Sequence, residues 1–170
     1  MEIKLIDPIV ADKKIIFDGL HDLYKKGINI NVYQKELIQD LDHLKIIVAH
    51  MASSPHPHSI HRNKTVDNYM LSLDDENIGF ITMSYDFKNN DVEILYFSII
   101  PKYQHQGLGK KYFKLALEII EKSGKSISVV VRTKNSPEML SILKENNFRE
   151  TSLDEQGFLP FYKNMNVIYL

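Results

Sequence analysis

The alternation of apolar and polar residues along this chain changes period several times, and each change marks an element. "EIKLI" (2–6) reads as a short strand. The period then becomes helical: Ile16, Leu20, Leu23 and Tyr24 share one face, Asp12 stands at the cap position and Gly27 closes the run. Asn31 and Gln34 resemble a capping box before a second helix that carries Tyr33, Leu37, Leu41, Leu44, Val48 and Met51 and must stop near Pro55. Three strand-like runs follow: "NYMLSL" (68–73), "IGFITMSY" (78–85) and "VEILYFSII" (92–100). Their connectors, "DDEN" and "DFKNND", are short and rich in turn residues, which predicts consecutive antiparallel hairpins. A helix over 107–123 gathers Leu108, Tyr112, Leu115, Ala116, Ile119 and Ile120 on one side. "SISVVVRT" (126–133) is a strongly apolar strand, and strand, helix, strand at this spacing is a parallel crossover. A helix from 137 to 146 and strands near 148–153 and 161–169 complete the pattern. No repeat, linker or low-complexity tract interrupts it. The reading is a single domain, 1–170, of mixed α/β (α+β) class.

Composition narrows the function classes. A chain of 170 residues buries roughly 70% of its unfolded surface without disulfides or a structural metal. It has no cysteine, which excludes a disulfide framework, a thiolate nucleophile and a Cys-ligated metal site. The formal net charge of −1 carries no basic footprint, so no nucleic-acid partner is expected. "MEIKLIDPIV" lacks the apolar core of a signal peptide, and no run approaches the ~20 apolar residues of a membrane span. The expectation is a cytoplasmic protein with no membrane partner.

One stretch departs from an ordinary domain. In "KYQHQGLGKKYF" (102–113), Gly107 and Gly109 open a helix, although Gly costs ~1 kcal/mol there relative to Ala. The first turn of a helix presents N–H groups without intrahelical partners, and its dipole favours anions. Two glycines let a phosphate approach those groups unobstructed. A P-loop would need Ser or Thr where Lys111 stands, and a dinucleotide fingerprint would need glycine at Tyr112, so both fail. The competing reading is tight packing of the helix start against the preceding strand.

The spacing that fits is Gln104-x-x-Gly107-x-Gly109 after an apolar strand ending in "SIIPKY". It resembles the pyrophosphate loop of the GNAT superfamily of acyl-CoA-dependent N-acyltransferases, which reads Arg/Gln-x-x-Gly-x-Gly/Ala. "EILYFSIIPKYQHQGLGKKYFKLALEII" is similar to that family's central motif, and the order of elements extends the resemblance over essentially the whole chain. The resemblance implies the GNAT fold: a mostly antiparallel mixed sheet with flanking helices, whose fourth and fifth strands, here 92–100 and 126–133, run parallel. It implies an N-acetyltransferase that moves an acetyl group from acetyl-CoA directly to a primary amine of a small molecule or peptide, with no metal. The implied cofactor-binding positions are Phe97, Ser98 and Ile99, then Gln104, His105, Gln106, Gly107, Leu108, Gly109 and Lys110, with Asn135. It further implies a bulge at Phe97, Ser98 and Ile99 that splays this strand from 126–133. The pantetheine amides would pair with the exposed edge, and the N–H groups near Ile99 would meet the thioester carbonyl. A homodimer is compatible with the resemblance.

Acyl transfer needs two proton movements: one off the amine and one onto the departing thiolate. Glu93 lies six residues before Ile99, at the position of the catalytic glutamate in the histone-acetyltransferase branch of the superfamily. Alternation places it with Leu95, Phe97 and Ile99, where desolvation would make it a better base. The other reading of Glu93 is a solvated carboxylate beside a hairpin. For the acid, many members carry Asn-x-x-Ala-x-x-x-Tyr-x-x-x-Gly-Phe. Here "NSPEMLSILKENNFRE" puts Asn147 on the glycine, Leu143 on the tyrosine and Ser136 on the asparagine, with Asn135 one residue out of register. Ser136 followed by Pro137 fits a helix cap equally well. Tyr162, Tyr169 or water is left to supply the proton. Leu143 therefore supports an alternative, a catalytically degenerate acyl-CoA-binding sensor or interaction module. His56, His58 and His61 share their stretch with no carboxylate, so no metal site is expected; the resemblance implies instead a loop bordering the acceptor. Tyr69, Tyr85 and Tyr96 read as core or pocket lining, and Asp74-Asp75-Glu76 as a solvated hairpin tip.

Overall fold

Turn chemistry between the strand runs sets the sheet. A computed structural model describes residues 1–5, 12–26, 41–53, 56–57, 64–132, 136–150 and 158–163. In chain order the elements are β1 (Glu2–Leu5), α1 (Lys13–Lys25), α2 (Leu41–Met51), β2 (His56–Pro57), β3 (Lys64–Leu73), β4 (Glu76–Asp86) and β5 (Asp91–Ile99). A 3₁₀ turn (Pro101–Tyr103), α3 (Leu108–Glu121), β6 (Ser126–Arg132), α4 (Pro137–Glu145), β7 (Arg149–Glu150) and β8 (Phe158–Lys163) follow. Asp74 and Asp75, with φ of 47° and 64°, form the left-handed two-residue turn that a tight hairpin demands. The strand order is β1-β3-β4-β5-β6-β8-β7, with β2 paired to β3. β5 and β6 are parallel, joined through the crossover helix α3, and the other pairs are antiparallel.

Helices cover both faces. On one, Ile16, Leu20, Leu44, Val48 and Met51 of α1 and α2 pack with Met70 and Phe80. On the other, Phe113 and Leu117 of α3 and Ile142 and Leu143 of α4 pack with Leu71, Ile81, Val92 and Ile94. Asp12 caps α1, its Oδ1 accepting the Ile15 N–H at 3.1 Å. Asn147 is left-handed (φ 61°), and the Phe148 N–H donates to the Leu143 carbonyl at 3.0 Å, the turn a terminal glycine would make. No described helix is long and apolar enough to cross a membrane.

Some boundaries and faces differ from the sequence reading. Ile119 is 49% exposed and Leu41 50% exposed rather than core. The buried strip of α3 instead includes Phe113 and Leu117, which share the core with Ile94 and Ile99 of β5 and Ile142 and Leu143 of α4. There Phe113 meets Phe97 edge-on at 5.4 Å and Phe148 at 6.2 Å between ring centroids. β8 begins at Phe158, not 161, and contains Pro160 opposite Val130. The described pairing with β7 starts only at Phe161, so the proline sits where a missing N–H is tolerated. The Asn31–Gln34 cap, Tyr33, Leu37 and the chain beyond Lys163 lie outside the described residues.

Candidate active site

β5 and β6 pair only from Asp91 opposite Ser126 to Ile94 opposite Val129. β6 continues against β8 as far as Arg132, so the two parallel strands part company after Ile94. The cause is local. Ile94 stands opposite Met83 and Tyr96 opposite Thr82, leaving Leu95 as an extra residue. The bulge therefore lies at Leu95, two residues before the expected Phe97, Ser98 and Ile99.

An extra residue inverts the parity of everything beyond it. Val92 and Ile94 pack on the α3 face, and so do Phe97 and Ile99. Tyr96 packs against the α1–α2 cluster. Glu93 is opposite Ser84, whose strand presents Phe80, Thr82 and Ser84 to that same α1–α2 face. Glu93 thus shares its face with Tyr96 and Ser98, not with Phe97 and Ile99, which corrects the face expected from simple alternation.

Beyond the bulge one edge of β5 pairs with no other strand among the described residues. The Ile100 N–H donates to the Ile78 carbonyl at 2.9 Å, and the Ser98 carbonyl lies directly against Gly79. Ser98 and Ile100 thus address β4. Strand alternation turns the N–H and C=O of Phe97 and Ile99 toward the β6 side, where the ladder has ended. The Ser98 side chain is buried, its hydroxyl 3.4 Å from the Gly19 carbonyl.

The glycine loop closes the same end of the strand. Gly107 is the N-cap of α3 in left-handed geometry (φ 72°), preceded by His105 at φ 59°. A Cβ built at Gly107 meets nothing within 4 Å, and one at Gly109 meets only Phe97 Cε1, at 4.0 Å. Among the described residues, neither glycine is held in place by a close packing contact. Gly19 contrasts: its Cβ would fall 2.7 Å from Phe80 Cε1 and 2.9 Å from Ser98 Oγ. The first-turn N–H groups of Leu108, Gly109 and Lys110 have no intrahelical acceptor and lie at the positive end of the α3 dipole. Leu108 is buried and anchors this turn, whereas His105 and Gln106 are exposed and the Lys110 ammonium pairs with Glu145 at 2.7 Å.

Gln104 is committed to the protein itself. Its Nε2 donates to the Ile99 carbonyl at 2.6 Å and to Asp22 Oδ2 at 2.8 Å, while Lys26 Nζ donates to its Oε1 at 2.8 Å. Lys26 also reaches Asp22 at 2.7 Å. Burial alone would raise Asp22, but hydrogen bonds from Lys26 and Gln104 and the charges of Lys26 and Lys25 hold it below the usual carboxylate value. This cluster ties α1 to the loop and to the end of β5.

At the apex of the splay, Glu93 is half-buried and pairs with Lys64 Nζ at 3.3 Å. Ser84, opposite it, is 1% exposed, and its hydroxyl has no hydrogen-bond partner among the described residues. Leu143, in place of the usual tyrosine, is fully buried in the core. Ser136 stands at the N-cap of α4 before Pro137, but its buried hydroxyl makes no capping bond. The strand backbone places Tyr162 opposite Ser128, and His56 lies in β2 opposite Val66. Asn135, His58, His61 and Tyr169 lie outside the described residues. Among the described residues no group of three or more His, Cys, Asp or Glu is arranged to hold a metal. Sequence reasoning missed Lys64, Ser84 and the Tyr24–Tyr96 contact; period-2 spacing of Lys64, Val66, Asn68 and Met70 was the available signal for the first.

The acetyltransferase (GNAT) family model matches residues 35–139. The fold matches PaiA N-acetyltransferase from Thermoplasma acidophilum in complex with coenzyme A, at TM-score 0.62 and 20% identity over 97% of this chain and 100% of that one. An acetyltransferase from Thermus thermophilus superposes at TM-score 0.63 and 14% identity, over 95% of both chains. A variant of spermidine N-acetyltransferase SpeG from Vibrio cholerae gives TM-score 0.62 and 15% identity over 95% and 94%. No curated protein sequence matches the chain.

Proposed function

This chain belongs to the GNAT acetyltransferase family, and from that premise we propose that it is an N-acetyltransferase that moves an acetyl group from acetyl-CoA directly to a primary amine of a small molecule or peptide. The observation that carries the reading is the pair Gly107 and Gly109. They keep the N-terminus of α3 clear of side chains where nothing among the described residues needs the room. The residues fit a pyrophosphate at that helix start, with a chain of amides running along the open edge of β5. Solved structures of similar fold in complex with coenzyme A support CoA as the ligand class.

In this reading, backbone N–H groups of the first turn of α3 hold the anion. The gap-side N–H and C=O of Phe97 and the N–H of Ile99 take the pantetheine arm as an added strand would, the Ile99 carbonyl being held by Gln104. The Ile99 N–H faces the oxygen on which charge develops, where a fixed donor stabilises the transition state more than the ground state. Glu93, paired with Lys64, takes the proton of the amine directly or through a water held near Ser84. Gln104 positions the loop by bracing it to Ile99 and Asp22.

Leu143 favours a second reading, an acyl-CoA-binding module without turnover, because the core position of this side chain removes the usual proton donor. Titration calorimetry with CoA, run beside thiol release from acetyl-CoA across polyamines, amino acids, aminoglycosides and peptides, separates the two. Binding with turnover of one amine class is the expected result. Binding without any turnover supports the module, and absence of CoA binding overturns both.

A further inference from the structure

Resting on the transferase reading above, the geometry points to Tyr96 as the group that protonates the departing thiolate, with Tyr24 as its positioning partner. The bulge carries this inference. In a regular strand residues 93 and 96 face opposite sides. Here Leu95 is extra, so the Glu93 carboxylate and the Tyr96 phenol lie on one face, on either side of the point where β5 leaves β6. One end of that unit can receive a proton and the other can give one, three residues apart, at the apex of the splay.

Tyr24, at the C-terminal end of α1, is 4% exposed and hydrogen-bonds the Tyr96 hydroxyl. Burial, then the contact with Tyr96, push the Tyr24 phenol well above its usual value, so it stays protonated and has a proton to donate when Tyr96 loses its own. A donor fixed on the Tyr96 oxygen stabilises the phenolate that Tyr96 becomes when it loses its proton. Other described groups on this face are Lys64 of β3, paired with Glu93, and Asp86 and Asp91 at the far end of β4 and β5. Asp86 accepts from the turn N–H groups of Lys88 and Asn89, and Asp91 accepts from Ser126 and Ser128. Those two carboxylates are therefore engaged away from the apex. Thr82, opposite Tyr96, is neutral and donates to Asn68.

The step balances without any further reactant. The amine nitrogen forms its bond to the acetyl carbon, and its proton goes to Glu93. The carbon–sulfur bond breaks with its electron pair on sulfur, and Tyr96 gives its proton to that sulfur. Glu93 then releases a proton to solvent and Tyr96 regains one from it, leaving amide and free thiol.

Tyr96→Phe removes the hydroxyl and keeps the ring that packs on α1. Expected are a fall in kcat of ~10²–10⁴-fold, unchanged KM for acetyl-CoA and loss of the alkaline limb of the pH–rate profile. Tyr24→Phe should show a smaller fall in kcat with the alkaline limb displaced. A ring-fluorinated tyrosine at position 96 gives a second, near-isosteric readout: a more acidic phenol should move the alkaline limb to lower pH. A purely structural tyrosine would leave that limb in place. Wild-type turnover with Tyr96→Phe within threefold of it, or a fluorinated protein with an unshifted profile, overturns the assignment of Tyr96 alone. Absence of turnover in the wild-type protein with every amine overturns the transferase reading, and this inference with it.

Discussion

Replacing Gly107 and Gly109 together by Asp separates an anion-binding helix start from a merely compact one. The cost to the fold can be worked position by position. Gly107 has φ 72°, and a left-handed non-glycine residue costs about 1–2 kcal/mol. Gly109 is helical and open, so a side chain there recovers a few tenths of a kcal/mol of helix propensity. A carboxylate in the first turn adds about 0.3–1 kcal/mol through the dipole. The net loss is about 1 kcal/mol, small against the 5–15 kcal/mol typical of a domain. The double variant should fold.

Its effect on coenzyme binding is larger. A carboxylate about 4 Å from a phosphate is repelled by about 1 kcal/mol in bulk water and about 4 kcal/mol at the effective dielectric of a protein surface. Two such contacts at the lower figure weaken binding about 30-fold, and the side chains also fill the space that the glycines keep clear. Titration calorimetry with CoA, paired with thermal unfolding, reads both quantities. Gly109→Ala separates the methyl from the charge: its Cβ makes only an ordinary contact with Phe97, so it should gain up to about 1 kcal/mol of stability and lose less CoA affinity than the double Asp variant. A folded double variant with unchanged CoA affinity would refute the reasoning and remove the physical basis for the pyrophosphate site.

Three further outcomes follow from the same geometry. Leu143→Ala should destabilise the protein by ~2–5 kcal/mol, because the side chain is fully buried, while the surviving folded fraction keeps its CoA affinity; native thermal stability without turnover would show that α4 had been misread. Glu93→Gln should lower kcat/KM by ~10²–10⁴-fold near neutral pH and abolish the acidic limb of the pH–rate profile, with CoA affinity unchanged; a rate within threefold of wild type leaves Glu93 a surface carboxylate. Asp22 is held below its ordinary 3.8 in the folded protein, so its contribution to stability is complete above that value and is lost as pH falls through the lower, folded one. Melting temperatures of wild type and Asp22→Asn should therefore differ at neutral pH and converge in acid; a difference that persists unchanged in acid would assign the loss to packing instead.

The hairpins and the crossover were legible because their signals are local. Turn residues such as Asp74 and Asp75, the cap at Asp12 and the left-handed Asn147 act within a few residues of themselves. Faces were harder. Ile119 has the spacing of a core residue, but which side of α3 is buried depends on distant partners such as Phe97 and Phe148, both packed on Phe113. Gln104 matched a cofactor pattern in sequence, yet its side chain is spent on Ile99, Asp22 and Lys26. Asp22 is 82 residues away along the chain, and no local pattern reports a partner at that distance.

The bulge shows most clearly where reading by pattern stops. "VEILYFSII" is apolar on both of its alternating faces, so periodicity gives no sign that one residue is extra. What selects Leu95 is the opposing strand, which keeps regular register from Gly79 to Asp86 while β5 does not. A misplacement of two residues leaves the strand assignment intact but changes the company that Glu93 keeps. With regular alternation it would sit among Phe97 and Ile99 as a desolvated acid; with the bulge at Leu95 it shares a face with Lys64, Ser84 and Tyr96. The chemistry open to this site thus turns on one residue of register. The opening of the β5 edge follows from the same residue, since pairing with β6 ends at Ile94, immediately before it.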